Sequence, residues 1–147
     1  IAPQVTGPVL KYYRDNFQPS DMLAAPRANA GVFVICADTQ EEADYLAASR
    51  DLWRLKLNYG QHLPYPHPDE ALAYDYNAQE RKMVEANRAN RFAGTPESLH
   101  DQLSAFAAKN ALDELVILTI TYDFETRLRS YELLAEAFDL RRREEAA

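Results

Sequence analysis

Tyr122 and Asp123 close the second of two strongly apolar runs, Leu115–Thr121. A phenol there can donate to an oxygen of a bound ligand, and the carboxylate beside it can orient the donor. Asp is also a preferred helix N-cap, and a helical apolar pattern begins at Phe124. Capping is the favoured reading of Asp123. Gly94-Thr95-Pro96 opens another helix, and helix N-termini attract anions. A lone Gly-Thr-Pro is not a phosphate loop, so Thr95 reads first as a cap. His62 and His67 flank Leu63-Pro64-Tyr65-Pro66. Two imidazoles hold a metal only with further ligands, and His100 falls on the exposed side of a helix, so no metal site is expected. Cys36 lies inside the apolar run Gly31–Ala37 with no basic neighbour in sequence. It reads as a packed, inert thiol.

These residues need elements to position them. Thr6-Gly7-Pro8 suggests a helix start, with Val9, Leu10, Tyr13 and Phe17 on one face and a stop at Pro19-Ser20. Val32–Ala37 is apolar without alternation, as in a strand covered on both faces. Thr39 and Glu42 have capping-box spacing ahead of a helix with two apolar stripes, one through Leu46, Trp53 and Leu57, the other through Tyr45, Leu52, Leu55 and Tyr59. Such a helix packs on two sides, which buries Trp53, and Gly60 ends it. Gln61–Pro68 is a loop with three prolines, and Asp69–Phe92 reads as one or two helices of weak periodicity. Thr95 then caps a helix with core positions Leu99, Leu103, Phe106 and Ala107, closed by Asn110 in the left-handed conformation. After Leu115–Thr121 comes a last helix with an apolar face of Phe124, Leu128, Tyr131, Ala135 and Phe138. Each of the two strands precedes a helix, the pattern of parallel βα units. Two strands do not make a stable sheet alone. The expected class is α/β, with two core parallel strands and about five helices.

The chain has 147 residues, 47% hydrophobic and 27% charged, enough for one globular domain. A net charge of -7 and a pI near 4.9 disfavour nucleic acid. The basic run Arg141-Arg142-Arg143 reads as a solvated helix end, because Glu144-Glu145 follow it. One cysteine precludes an internal disulfide, and no apolar run is long enough to span a bilayer. With no signal peptide, a cytoplasmic location is expected.

Phe92-Ala93-Gly94-Thr95-Pro96-Glu97, Asp113-Glu114-Leu115 and Arg127-Leu128-Arg129-Ser130-Tyr131-Glu132-Leu133-Leu134-Ala135 together resemble the C-terminal part of the bacterial-luciferase-like, flavin-dependent monooxygenases. Tyr13-Arg14, Phe17-Gln18-Pro19-Ser20 and Ala37-Asp38-Thr39 extend the resemblance over nearly the whole chain. It implies the last two or three units of a (β/α)8 TIM barrel, a single partial-barrel domain over 1–147 with 61–92 as lid or excursion. It implies FMN, in its reduced form, or a deazaflavin as cofactor, and a flavin reductase as partner. The family reaction puts one atom of O2 into an organic substrate and releases the other as water. Most flavin contacts of that family come from the front of the barrel, upstream of the segment that Ile1-Ala2-Pro3 resembles.

Chemistry in such barrels sits at the C-terminal ends of the strands, here 37–39 and 121–123. The resemblance therefore makes Tyr122 and Asp123 candidate cofactor contacts. Gln61–Arg91 takes the place of the family's mobile loop, which keeps water from the oxygen chemistry. Tyr65, His67, Tyr74 and Arg91 are its candidate lining residues, and a plain surface excursion is the equal alternative. The chain is expected to pair with the missing N-terminal half or with itself as a homo-oligomer. The alternative function is a non-catalytic fragment or split subunit of the same fold, acting through self-association.

Overall fold

The computed structural model describes residues 3–89 and 91–140, with side chains from residue 6 onward. Ile1-Ala2 and the run Arg141-Arg142-Arg143 lie outside the described residues. Nine elements follow in order: α1 (Pro3–Asp15), β1 (Asn29–Cys36), α2 (Gln40–Asn58), α3 (Pro68–Ala73), α4 (Ala78–Arg88), β2 (Phe92–Gly94), α5 (Pro96–Asn110), β3 (Glu114–Leu118) and α6 (Phe124–Ala137). The sheet is parallel, with strand order β2-β1-β3. The α/β class holds. The described residues hold three strands rather than two, and six helices rather than about five. β2 escapes a periodicity argument because it is three residues long and ends on Gly94.

β1 is the middle strand. Its N-terminal part pairs with β3, from Asn29↔Glu114 to Phe33↔Leu118, and its C-terminal part with β2, from Val34↔Phe92 to Cys36↔Gly94. One face carries Val32, Val34 and Cys36, packed on Leu99 and Leu103 of α5 and on Leu133 and Leu134 of α6. On the other face Ile35 and Ala37 pack on Ala43, Leu46 and Ala47 of α2. A run covered on both sides needs no polar alternation, which is why β1 reads as continuous apolar sequence. Further down the α2 face, Val116 and Leu118 of the edge strand β3 are 50% and 53% exposed.

Local signals held where they were strong. Thr39, Thr95 and Asp123 accept the amides of Glu42, Ser98 and Thr126 at the starts of α2, α5 and α6. The segment after the loop forms two helices, α3 and α4, because Asn77 and Glu80 build a full capping box between them. Other expectations are corrected. α1 begins at Pro3 and carries Pro8 inside, so Thr6 is not its cap, and Val9 is exposed. The left-handed residue after α5 is Ala111, at φ 49°, not Asn110. Asn110 stays helical, with its amide nitrogen donating to the Phe106 carbonyl at 2.9 Å. Arg14 of α1 donates to the Asn110 carbonyl at 2.9 Å, a cation on the orphan acceptors of a helix end.

The second strand stops at Leu118 rather than Thr121. The Thr119 N–H donates to the Tyr131 hydroxyl at 3.0 Å, and Thr119 Oγ1 donates to the Val34 carbonyl at 2.8 Å. α6 turns a different face inward from the one expected. Ser130, Leu133 and Leu134 are buried, while Phe124, Leu128 and Tyr131 are exposed. Small Ser130 lets α6 close on β1, where its Oγ accepts the Cys36 amide at 2.8 Å. The expected stripe flanks β3, beyond which the described residues place no strand to cover it.

Candidate functional site

β1 and β2 end together at Cys36 and Gly94, and β3 ends at Leu118, opposite Phe33; the functional side chains gather beyond those ends. At the end of β1, Asp38 meets Arg129 of α6 through two bonds, at 2.6 and 3.2 Å. The Arg129 hydrogen bond holds the Asp38 carboxyl below its ordinary range. At the end of β3 the Ile120 carbonyl accepts the Tyr65 hydroxyl at 3.0 Å. The Pro-rich loop after α2 is thereby brought back onto the strand ends. His67 follows, its ring edge-on to Tyr122 with centroids 4.8 Å apart.

Three of the predicted residues, Tyr65, His67 and Tyr122, therefore lie together. Their roles differ. Burial pushes the Tyr65 phenol well above its ordinary range, so it remains a neutral donor. His67 Nδ1 accepts the Asp69 amide at 3.2 Å and so caps α3, with Pro68 next to it. Tyr122 is exposed, its ring nearly perpendicular to that of His67. Asp123 is used as a cap: it accepts the Thr126 amide and the Thr126 hydroxyl, each at 2.8 Å. Those bonds, the amide first, lower its pKa.

Tyr74 and Arg91 sit apart, between α2 and the excursion. The Tyr74 hydroxyl accepts Lys56 Nζ at 2.9 Å and donates to Glu80 at 3.0 Å. Arg91 pairs with Asp51 of α2 at 3.3 Å. Asp51 also holds Arg88 at 2.8 Å while only 2% exposed. This buried carboxylate ties the end of α4 and the approach to β2 onto α2.

The group that sequence reasoning missed is Arg50. Its guanidinium lies over the ring of Phe33 on β1, 4.4 Å from the centroid. The Nη1 nitrogen is shut off from solvent and has no hydrogen-bond partner. Burial depresses its pKa, against the pull of Asp51. A signal existed: Arg50-Asp51 interrupt a helix that is apolar on two sides, and charges there are rarely buried unpaired.

The remaining candidates have structural roles. Thr95 caps α5, and a Cβ on Gly94 would stand 3.1 Å from the Gln40 side-chain oxygen, so the strand end and the start of α2 approach closely there. Cys36 is buried, and desolvation leads its thiol up to about 11. His100 lies against Phe138, centroids 4.8 Å apart. Trp53, expected in the core, is half-buried and tilted on Tyr65 at 6.0 Å. Among the described residues no three potential ligands cluster for a metal, and no helix is long and apolar enough to cross a membrane. Near these strand ends lie an apolar strand surface, a guanidinium and the exposed phenol of Tyr122.

No protein-family model matches the chain. It is 38% identical over 138 residues to the uncharacterized protein YceB of Bacillus subtilis, covering 94% of this chain and 42% of YceB. It is 26% identical to a luciferase-like monooxygenase of Escherichia coli, covering 90% of this chain and 40% of that protein. An N-acetyl-S-alkylcysteine monooxygenase of Bacillus subtilis is 27% identical over 71% of this chain and 31% of its own length. Among solved structures, apo-MsnO8 superposes with a TM-score of 0.83 at 32% identity, over 96% of this chain and 43% of that one. The chain spans about two fifths of the length of the curated relatives YceB and the luciferase-like monooxygenase. These similarities support a relation to the luciferase-like monooxygenases and, at that level, to oxidoreductases.

Proposed function

We propose that this chain is the C-terminal part of a luciferase-like, flavin-dependent monooxygenase with a (β/α)8 barrel, acting on an organic substrate. The alignment along most of the chain with a minor part of a luciferase-like monooxygenase carries the reading. The parallel βα units are consistent with it. Flavin, when bound, supplies the oxygen activation that puts one atom into the substrate and releases the other as water. The residues present fit such a group. Phe33, Val116 and Leu118 offer an apolar bed on one face of the sheet, and Arg50 offers a cation beside it. Tyr65 fastens the loop 61–67 to the end of β3. Tyr122, exposed beyond β3, is the proposed donor to a ligand oxygen at the mouth. Residues 61–92 serve as lid, with Asp51 as their anchor, and a flavin reductase is the source of reduced cofactor.

A chimera tests the proposal. The front three fifths of YceB are joined to this chain, and FMN binding is followed by quenching of flavin fluorescence. Reductase-driven oxygenation is then measured. The expected result is stoichiometric binding by the chimera and none in the sub-micromolar range by the chain alone. A folded chimera that ignores FMN overturns the flavin reading.

The second reading is a split subunit or non-catalytic fragment that acts through self-association. Val116 and Leu118, both about half exposed on an edge strand, favour it.

A further inference from the structure

We propose that Arg50 is the seat of an oxyanion, the phosphate or carboxylate group of a ligand that lies on the α2 face of the sheet. Three observations converge. The guanidinium is half-buried over Phe33, with Nη1 hidden and unpartnered. The adjacent carboxylate, Asp51, pairs with Arg88 and Arg91, its hydrogen bonds made through Oδ2 while Oδ1 accepts none. The charges around it are mixed: Asp51 favours the Arg50 cation, and Arg91 and Arg54 oppose it. Arg50 thus stands over Phe33, whose register partner Leu118 is half exposed on β3.

The stacking on Phe33 does not by itself account for the site. A cation–π contact returns less than the desolvation of a guanidinium takes away, and an uncompensated charge in such a place destabilises the fold. An oxyanion supplies the missing compensation. The planar guanidinium suits it, because it can bind two oxygens of one phosphate or carboxylate side by side. The position is suited to a ligand as well as to an ion. Phe33 is paired in register with Leu118, so the cation borders the apolar strand surface. Tyr65, within electrostatic reach of Arg50, places its hydroxyl at the neighbouring Ile120 carbonyl. The inference concerns the anion and stands whether or not the ligand is a flavin.

The test uses the whole 147-residue chain and its single tryptophan, Trp53, whose ring lies 6.0 Å from that of Tyr65. Inorganic phosphate and acetate are titrated against chloride at matched ionic strength, with Trp53 fluorescence and Tm as readouts. A saturable fluorescence change and a rise in Tm are expected. Arg50→Met should weaken binding at least tenfold and Arg50→Lys at least threefold, while Lys11→Gln, which removes an exposed cation on α1, keeps it. Should Arg50→Met fail to fold, the Lys variant and the wild-type Tm decide. FMN binding more tightly than riboflavin assigns the anion to a cofactor phosphate, and acetate outcompeting phosphate assigns it to a substrate carboxylate. No saturable response to either anion, no rise in Tm, or an undiminished response in the Arg50 variants overturns the proposal. Phosphate binding that survives failure of the flavin chimera would leave the anion seat standing and remove only the flavin reading.

Discussion

Asp51 is 2% exposed and neutralises two arginines that arrive from 37 and 40 residues away in sequence. Removing its charge leaves Arg91, itself only 9% exposed, without a counter-ion. Breaking a buried pair from one side destabilises by about 3–5 kcal/mol. Asp51→Asn should fall near the lower end, because Arg88 is half exposed and can turn to water. Urea unfolding checks this, and a loss below about 1 kcal/mol would show that the excursion is not anchored there. Cys36 gives a second prediction at this scale. With its thiol pushed up to about 11, almost no thiolate exists at neutral pH. Alkylation at pH 7.5 should be slow in the native chain and fast in urea, and equal rates would contradict the burial. Cys36 was legible in the sequence because an apolar run surrounds it. Arg50 and Asp51 left only the signal of two charges inside a helix apolar on two sides; their partners Phe33, Arg88 and Arg91 are distant, and no periodic pattern links them.

At the scale of elements, the starts of α2, α5 and α6 were legible, the start of α1 was not, and the helix faces were less so than the caps. A cap is a contact over three residues, so Thr39, Thr95 and Asp123 could be read directly. The buried face of α6 depends on which strand lies under it. There the stripe of large side chains misled, because the contact is made around small Ser130. Asp123 yields a pH prediction. Its native pKa is lowered by the Thr126 bonds, so its cap contributes fully above the unfolded value near 3.9. That contribution is lost as pH falls through the native pKa. Asp123→Ala should cost about 1 kcal/mol at pH 7 and progressively less below pH 4. A loss unchanged at pH 2.5 would contradict the capping role. Ala111 offers the opposite sign. It holds φ 49° at the end of α5, where a side chain strains the backbone by about 1–2 kcal/mol. Ala111→Gly should recover up to about 1 kcal/mol, less than the strain because glycine loses more freedom on folding. A lower Tm in that variant would mean the strain is not there.

At the scale of the whole molecule, the sheet is unfinished. Among the described residues β3 has a strand on one side only, and Val116 and Leu118 present half their surface on its α2 face. The βα pattern made this legible in outline, although the third strand was too short to be seen. An exposed apolar edge strand recruits partners through its open backbone groups and its side chains together. In a full barrel the preceding strands would cover the α2 face. In the isolated chain a second copy is the available cover, and a two-fold arrangement is the default for such pairing. The chain should therefore form a dimer or larger oligomer whose weight falls on dilution. Leu118→Glu should shift that equilibrium toward monomer, because each new contact would bury a carboxylate at the edge. Light scattering across a dilution series separates the outcomes. If the wild type stays a folded monomer at every concentration, the open face is closed within the chain, and both the half-barrel and the self-associating readings fall. If the variant associates as strongly as the wild type, the contact lies elsewhere, for which the groove of Leu103, Leu115, Leu134 and Phe138 between α5 and α6 is the next surface to mutate.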